Sequence, residues 1–142
     1  MMTSKTATQP LPLLADSPLY TAYFAALREG RLTVRRCAAC GTLQWPPRDL
    51  CGKCQSSNFE VADVPASGEV FTYIVMYRAF QPWFADMLPY GVVVVQVCDG
   101  IRVLGRFLGD PETLACGQSV ELQIQRNESE TPIVCWRAKK YG

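Results

Sequence analysis

The sequence predicts a mainly β protein in three parts: an N-terminal helix, a ribbon built on four cysteines, and a small closed barrel of five strands. Three observations predict it. Two Cys-x-x-Cys pairs stand close together in the stretch RRCAACGTLQWPPRDLCGKC, residues 35–54. Downstream, alternating or continuously apolar runs recur between turn signals, as the strands of a small barrel do. Upstream, one segment repeats apolar residues at three- and four-residue spacing, the period of a helix.

The totals suit this division. A chain of 142 residues makes one compact domain, or one domain with a small satellite. It is 49% hydrophobic and 19% charged, enough apolar material for a sizeable core. The net charge of +1 lacks the basic excess that phosphate neutralisation demands of a dedicated nucleic-acid binder. The chain has no histidine, so it cannot build a Ser-His or Cys-His catalytic pair. The opening residues, MMTSKTATQPLPLLADSP, carry one lysine and no long apolar run. Neither a signal peptide nor a membrane span is expected there. A cytoplasmic, reducing location follows as the expectation, and it favours metal over disulfides for paired cysteines.

Residues 1–30 read as an arm and a helix. Residues 1–15 are rich in Ser, Thr and Pro, a loose or partner-docked arm. Asp16 or Ser17 can cap, Pro18 suits the first helical position, and Gly30 can end the helix. Between them Leu19, Tyr20, Tyr23, Phe24 and Leu27 form one stripe. That stripe packs either on the chain's own core or on a partner.

Residues 31–64 hold the ribbon, flanked by the strand-like RLTVRR and NFEVAD. Residues 65–142 hold the barrel, after a linker from Pro65 to Gly68. GEVFTYIVMYRAF gives the first strand, and YGVVVVQVC reads as a strand buried on both faces. Asp99-Gly100 is a two-residue turn leading into IRVLGRFL, a hairpin. SVELQIQ alternates with Val120, Leu122 and Ile124 inward, and TPIVCWRAKK closes the chain. Gly105 is available for a bend. GDPETLACG can hold one helical turn between the third and fourth strands, which is the arrangement of an OB-fold.

Cys37 and Cys40 form one knuckle, Cys51 and Cys54 the other. Two knuckles presenting two thiolates each can meet around one tetrahedral ion, and an all-sulfur set selects zinc or iron. Gly41 and Gly52 sit where the knuckles turn, and Arg35, Arg36 and Lys53 offset the thiolate charge. A thioredoxin-like site needs only one pair, and a disulfide staple needs an oxidising compartment. Four thiolates leave no open coordination position, so the metal is expected to be structural. Cys98, Cys116 and Cys135 read as small apolar residues, with Cys116 the one to test as a nucleophile. Between the knuckles, Trp45 can pack on the ribbon or barrel. Arg48 is a solvated charge, a stack on Trp45 or an anion contact.

The loop RAFQPWFADMLPYG between the first two barrel strands is unusually apolar, with Phe80, Trp83, Phe84, Met87, Leu88 and Tyr90. It either folds over the barrel mouth or offers a surface to another protein or a hydrophobic ligand.

YFAALREGRL, the ribbon with its Trp-Pro-Pro-Arg insert, GEVFTYIVM and PYGVVVVQVCDGIRVLGRF together resemble a known family. It is the zinc-ribbon/OB-fold family that accompanies thiolase-like enzymes, catalogued as domain of unknown function 35. The resemblance covers roughly residues 17–138. It implies a rubredoxin-like zinc ribbon with Cys37, Cys40, Cys51 and Cys54 as ligands of structural Zn2+, followed by a five-stranded OB-fold. It further implies a stand-alone, non-catalytic subunit of an acyl-CoA thiolase or retro-aldol lyase, in a heterotetramer or larger assembly. Sterol side-chain or aromatic-acid breakdown are the settings it suggests. Acyl-CoA is then a shared ligand, with Arg35, Arg36, Arg48 and Lys53 the nearest cations for its phosphates. The partner surface is expected at Tyr20, Phe24, Phe80, Trp83, Phe84 and Met87. The alternative is a nucleic-acid-binding ribbon and barrel using Arg102, Arg106, Lys139 and Lys140. Catalysis by Asp86 or Glu69 has no paired carboxylate behind it.

Overall fold

The computed structural model describes residues 17–80, 82–126 and 131–139, without the Trp83 side chain. The expected arm at 1–15, the capping role of Asp16, and Lys140 lie outside the described residues. Ser17 caps a 3-10 turn, Pro18–Tyr20, its side chain accepting from the Leu19 N–H. Helix α1 (Thr21–Arg28) follows directly and ends before Gly30, whose φ of 83° only glycine adopts at little cost. Its buried residues are Tyr23, Ala26 and Leu27. The stripe therefore divides: Tyr23 and Leu27 enter the core, while Tyr20 and Phe24 pack partly buried at its edge.

Three strands make the ribbon sheet: β1 (Thr33–Cys37), β2 (Leu43–Gln44) and β3 (Phe59–Asp63). β1 is central and antiparallel to both; its Val34, and Leu32 just before it, are buried in the core. Helix α1 packs on β1 and on the last barrel strand. The ribbon and helix thereby share one apolar core with the barrel.

The barrel comprises β4 (Ser67–Met76), β5 (Tyr90–Cys98), β6 (Ile101–Phe107), β7 (Ser119–Arg126) and β8 (Pro132–Ala138). It closes in the order β4-β5-β6-β8-β7, with β6 and β8 parallel and the other pairs antiparallel. Closure leaves no free sheet edge. The expected helical turn between the third and fourth barrel strands is the 3-10 turn Pro111–Thr113, capped by Asp110. The Asp99-Gly100 turn is also found, with Gly100 at φ 77°.

β5 was expected to be buried on both faces, but its burial alternates: Val93, Val95 and Val97 are inside, Val92 and Val94 half-buried outside. The continuous valine run reflects an apolar outer wall as well as an apolar interior. Val120 is fully buried as expected, whereas Leu122 and Ile124 are half-buried. β6 runs in unbroken register through Gly105. This glycine gives room to the fully buried Trp136, whose Cδ1 lies 2.7 Å from where a Cβ would stand.

Candidate metal centre and apolar groove

The two knuckles are built alike. In the first, the Gly41 N–H bonds to the Cys37 carbonyl at 2.8 Å and the Cys37 N–H to the Thr42 carbonyl at 2.9 Å. In the second, Gln55 donates to Cys51 and Cys51 to Ser56, both at 2.9 Å. The same ring of bonds turns each Cys-x-x-Cys back on itself. The residue after each second cysteine must then take a left-handed conformation: Gly41 at φ 79° and Gln55 at φ 67°. Sequence reasoning assigned that role to Gly52, whose φ is ordinary. The missed signal was position, since Gln55 stands after Cys54 as Gly41 stands after Cys40.

All four sulfurs lie within 4.8 Å of one another, with Cys37–Cys54 at 3.5 Å and Cys40–Cys51 at 3.7 Å. A tetrahedral zinc–thiolate centre needs sulfurs about 3.8 Å apart. Each knuckle gives one buried ligand, Cys37 or Cys51, and one exposed ligand, Cys40 or Cys54. Hydrogen bonds from the Thr42 hydroxyl and backbone bring the Cys40 thiol down to about 6. The backbone N–H groups of Cys54 and Lys53 lower Cys51. The Ser56 N–H pulls Cys54 down too, but the Cys37 sulfur and then burial outweigh it and hold Cys54 at about 12. A divalent cation at the centre of these crowded sulfurs would hold all four as thiolates. The donor set fits zinc or iron and fills a tetrahedron, so the metal has no position left for a substrate.

The four cations near the ribbon do not converge. Arg35 lies 4.0 Å over the Phe59 ring and donates to the Arg48 carbonyl at 2.8 Å. Arg36, the next residue along β1, pairs with Glu60 at 3.4 Å. Arg48 and Lys53 line a second hollow beside Cys51 and the Gly100 turn.

A larger concavity, about 680 Å³, opens between α1, the ribbon and the outer barrel wall. Tyr20, Phe24, Phe84 and Met87 line it, four of the six residues expected at a partner surface. The fifth, Phe80, is 78% exposed and outside the groove; the Trp83 side chain is not among the described residues. Sequence reasoning did not place Trp45, Tyr90, Arg106 or Cys135 in this wall. Trp45 comes from the ribbon, Tyr90 and Arg106 from β5 and β6, and Cys135 from β8, so only the tertiary fold joins them. The long apolar loop forms a 3-10 turn, Pro82–Met87, against the barrel's side, with Phe84 stacked on Tyr90 at 5.1 Å. Burial pushes the Cys135 thiol up, Cys98 is half-buried, and Cys116 is exposed at the Gly117 turn.

Residues 24–60 match the ChsH2 rubredoxin-like zinc ribbon domain, and residues 61–125 match the ChsH2 C-terminal OB-fold domain. The chain belongs to the ChsH2 zinc-ribbon and OB-fold family. Among solved structures of this family, an Ltp2–ChsH2(DUF35) aldolase chain superposes with a TM-score of 0.78 at 30% identity, covering 87% of this chain and 97% of that one. A probable enoyl-CoA hydratase alpha subunit of Thermomonospora curvata is 31% identical over 132 residues. The match takes in 92% of this chain but only 40% of that relative's length. The benzoylsuccinyl-CoA thiolase subunit BbsA of Geobacter metallireducens is 29% identical over 108 residues, 74% of this chain and 71% of its own. No helix among the described residues is long and apolar enough to cross a membrane.

Proposed function

We propose that this member of the ChsH2 family is a non-catalytic accessory subunit of a thiolase-like acyl-CoA enzyme, a thiolase or a carbon–carbon bond lyase. One observation carries the reading: apolar surface that the fold leaves unspent on the outer barrel wall. Ile74 is 57% exposed and Leu104 is 61% exposed. Ile74 pairs with Val92 and Leu104 with Val94 across β4, β5 and β6, so they form one apolar strip. Contiguous apolar surface of this kind marks a protein interface. The lack of histidine removes the commonest general base, and a four-sulfur shell leaves a bound metal no open position, which favours an accessory role. The names carried by the relatives, a thiolase subunit and an aldolase complex, support the class of partner.

In this reading zinc is structural and fixes the ribbon beneath Trp45. The complex is a heterotetramer or larger in the cytoplasm, and the barrel shapes the partner's acyl-CoA channel. Sterol side-chain or aromatic-acid breakdown is the setting, with no nucleic acid involved. Arg48 and Lys53 share one hollow and are the cations best placed for a CoA phosphate. Arg36 is paired with Glu60 and less available.

The test is co-expression with a thiolase-like protein from the same organism. A stable complex whose acyl-CoA activity exceeds that of the partner alone is expected. Separate elution, with full activity in the partner alone, would refute the reading.

A further inference from the structure

The groove adjoins the apolar strip and shares Val92 and Leu104 with it, but its helix and ribbon side is of another kind. Its rings are recessed and packed on one another: Tyr23–Trp45 at 4.3 Å, Tyr23–Phe24 at 5.4 Å and Tyr20–Trp45 at 5.7 Å. None of these four residues is exposed in the way of Phe80 or Ile74. A wall of mutually braced, half-buried rings is concave and preformed, as small-molecule sites are. Its volume of about 680 Å³ lies inside the ~300–1,000 Å³ range of such sites.

The charged groups in the wall have one sign. Arg106 and Arg126 line it, and no Asp or Glu does among the described residues. Arg106 is half-buried on β6, and among the described residues it makes no salt bridge. Its polar neighbours in the wall are the Cys135 thiol, a weak acceptor, and the Tyr90 phenol, neither of which is an acidic side chain of the Asp or Glu kind. A half-buried guanidinium with several donors and no carboxylate partner among the described residues suits an acceptor anion.

We propose that this groove binds a small amphipathic carboxylate, its apolar body on the Tyr20–Phe24–Trp45 wall and its carboxylate on the Arg106 guanidinium. The site belongs to the chain by itself and needs no partner subunit. It is separate from the hollow at Arg48 and Lys53.

The test uses the full zinc-loaded chain and three probes of equal tail length, each below its micelle concentration: dodecanoate, 1-dodecanol and dodecyltrimethylammonium. Binding is read by calorimetry and by tryptophan fluorescence. Saturable one-to-one binding of dodecanoate is expected, at least tenfold tighter than that of the cation. Arg106→Gln should weaken dodecanoate about tenfold and leave dodecanol within twofold, the scale of a lost charge-assisted hydrogen bond. Arg106→Lys should recover part of the difference. Arg102→Gln, on a residue stacked over Phe71 outside the groove, should change nothing. Equal affinity for anion and cation, or an Arg106→Gln variant that binds dodecanoate normally, would overturn the proposal. So would a groove that ignores all three probes while a thiolase-like partner protects Trp45 from quenching; that result makes the groove a protein interface and leaves the accessory role standing.

Discussion

Gln55 occupies in the second knuckle the place that Gly41 occupies in the first, and both have positive φ, 67° and 79°. A side chain there is strained, because Cβ crowds the following carbonyl oxygen. Gln55→Gly should therefore stabilise the ribbon by about 0.5–1 kcal/mol, the relief exceeding the extra entropy glycine loses on folding. Gly41→Ala should cost about 1 kcal/mol through conformation alone, since nothing lies within 4 Å of its added Cβ. Urea unfolding of the zinc-loaded protein checks both signs.

Three barrel glycines rank by what a methyl group would meet. At Gly105 it would stand 2.7 Å from Trp136 Cδ1 and 2.8 Å from the Val134 carbonyl, with a buried ring on one side and backbone on the other. At Gly68 it would run into the Gln96 carbonyl. At Gly91 its one close clash is with the Leu114 Cδ1, 2.6 Å away at the end of a flexible side chain, while the Phe107 Cβ at 3.4 Å and the Pro111 Cβ at 3.6 Å are ordinary contacts. Gly105→Ala and Gly68→Ala should each cost about 2–3 kcal/mol and Gly91→Ala distinctly less. Thermal melts of the three variants give the order.

Burial in the α1–ribbon core pushes the Tyr23 phenol well above its ordinary value, helped by neighbouring Tyr20. The folded state thus favours the protonated form more than the unfolded state does. Its contribution is fully present below about pH 10, the unfolded value, and is lost as pH rises towards the folded one. The melting temperature should begin to fall at about pH 10 and keep falling as the pH rises further. Tyr23→Phe should shallow that slope without abolishing it, because Tyr77 and Tyr90 are also raised, by the Glu112 hydrogen bond and by burial respectively.

The purified chain should carry one tightly held zinc, released only on unfolding. Cys51→Ser should lower zinc content well below one per chain and abolish the ribbon's hydrogen-exchange protection, while the barrel strands stay protected. Structural zinc of this kind supplies about 10–16 kcal/mol to small modules. Elemental analysis and amide exchange together read the outcome.

What was legible in the sequence follows from range. Cys-x-x-Cys spacing, the Ser17-Pro18 start, the Asp99-Gly100 turn and the strand periods are local signals, and each has its counterpart in the structure. The packing role of Gly105 was not legible, because its neighbour Trp136 is brought beside it only by the parallel β6–β8 pairing. The β5 valines were misread because periodicity cannot distinguish a buried outer wall from one left apolar for another molecule. The groove was half visible: its loop and helix aromatics lie in two short stretches, but Trp45, Arg106 and Cys135 join them only through barrel closure.

The accessory role is tested most directly by the affinity of the thiolase-like partner for the wild-type chain and for Leu104→Glu, measured by sedimentation or interferometry. Leu104 is 61% exposed, so the substitution should leave the fold intact. Wild type should bind stably, with Leu104→Glu at least thirtyfold weaker, a loss of about 2 kcal/mol at an apolar contact. A partner that binds both chains equally would contradict the barrel wall as the interface, and one that binds neither would contradict the account itself.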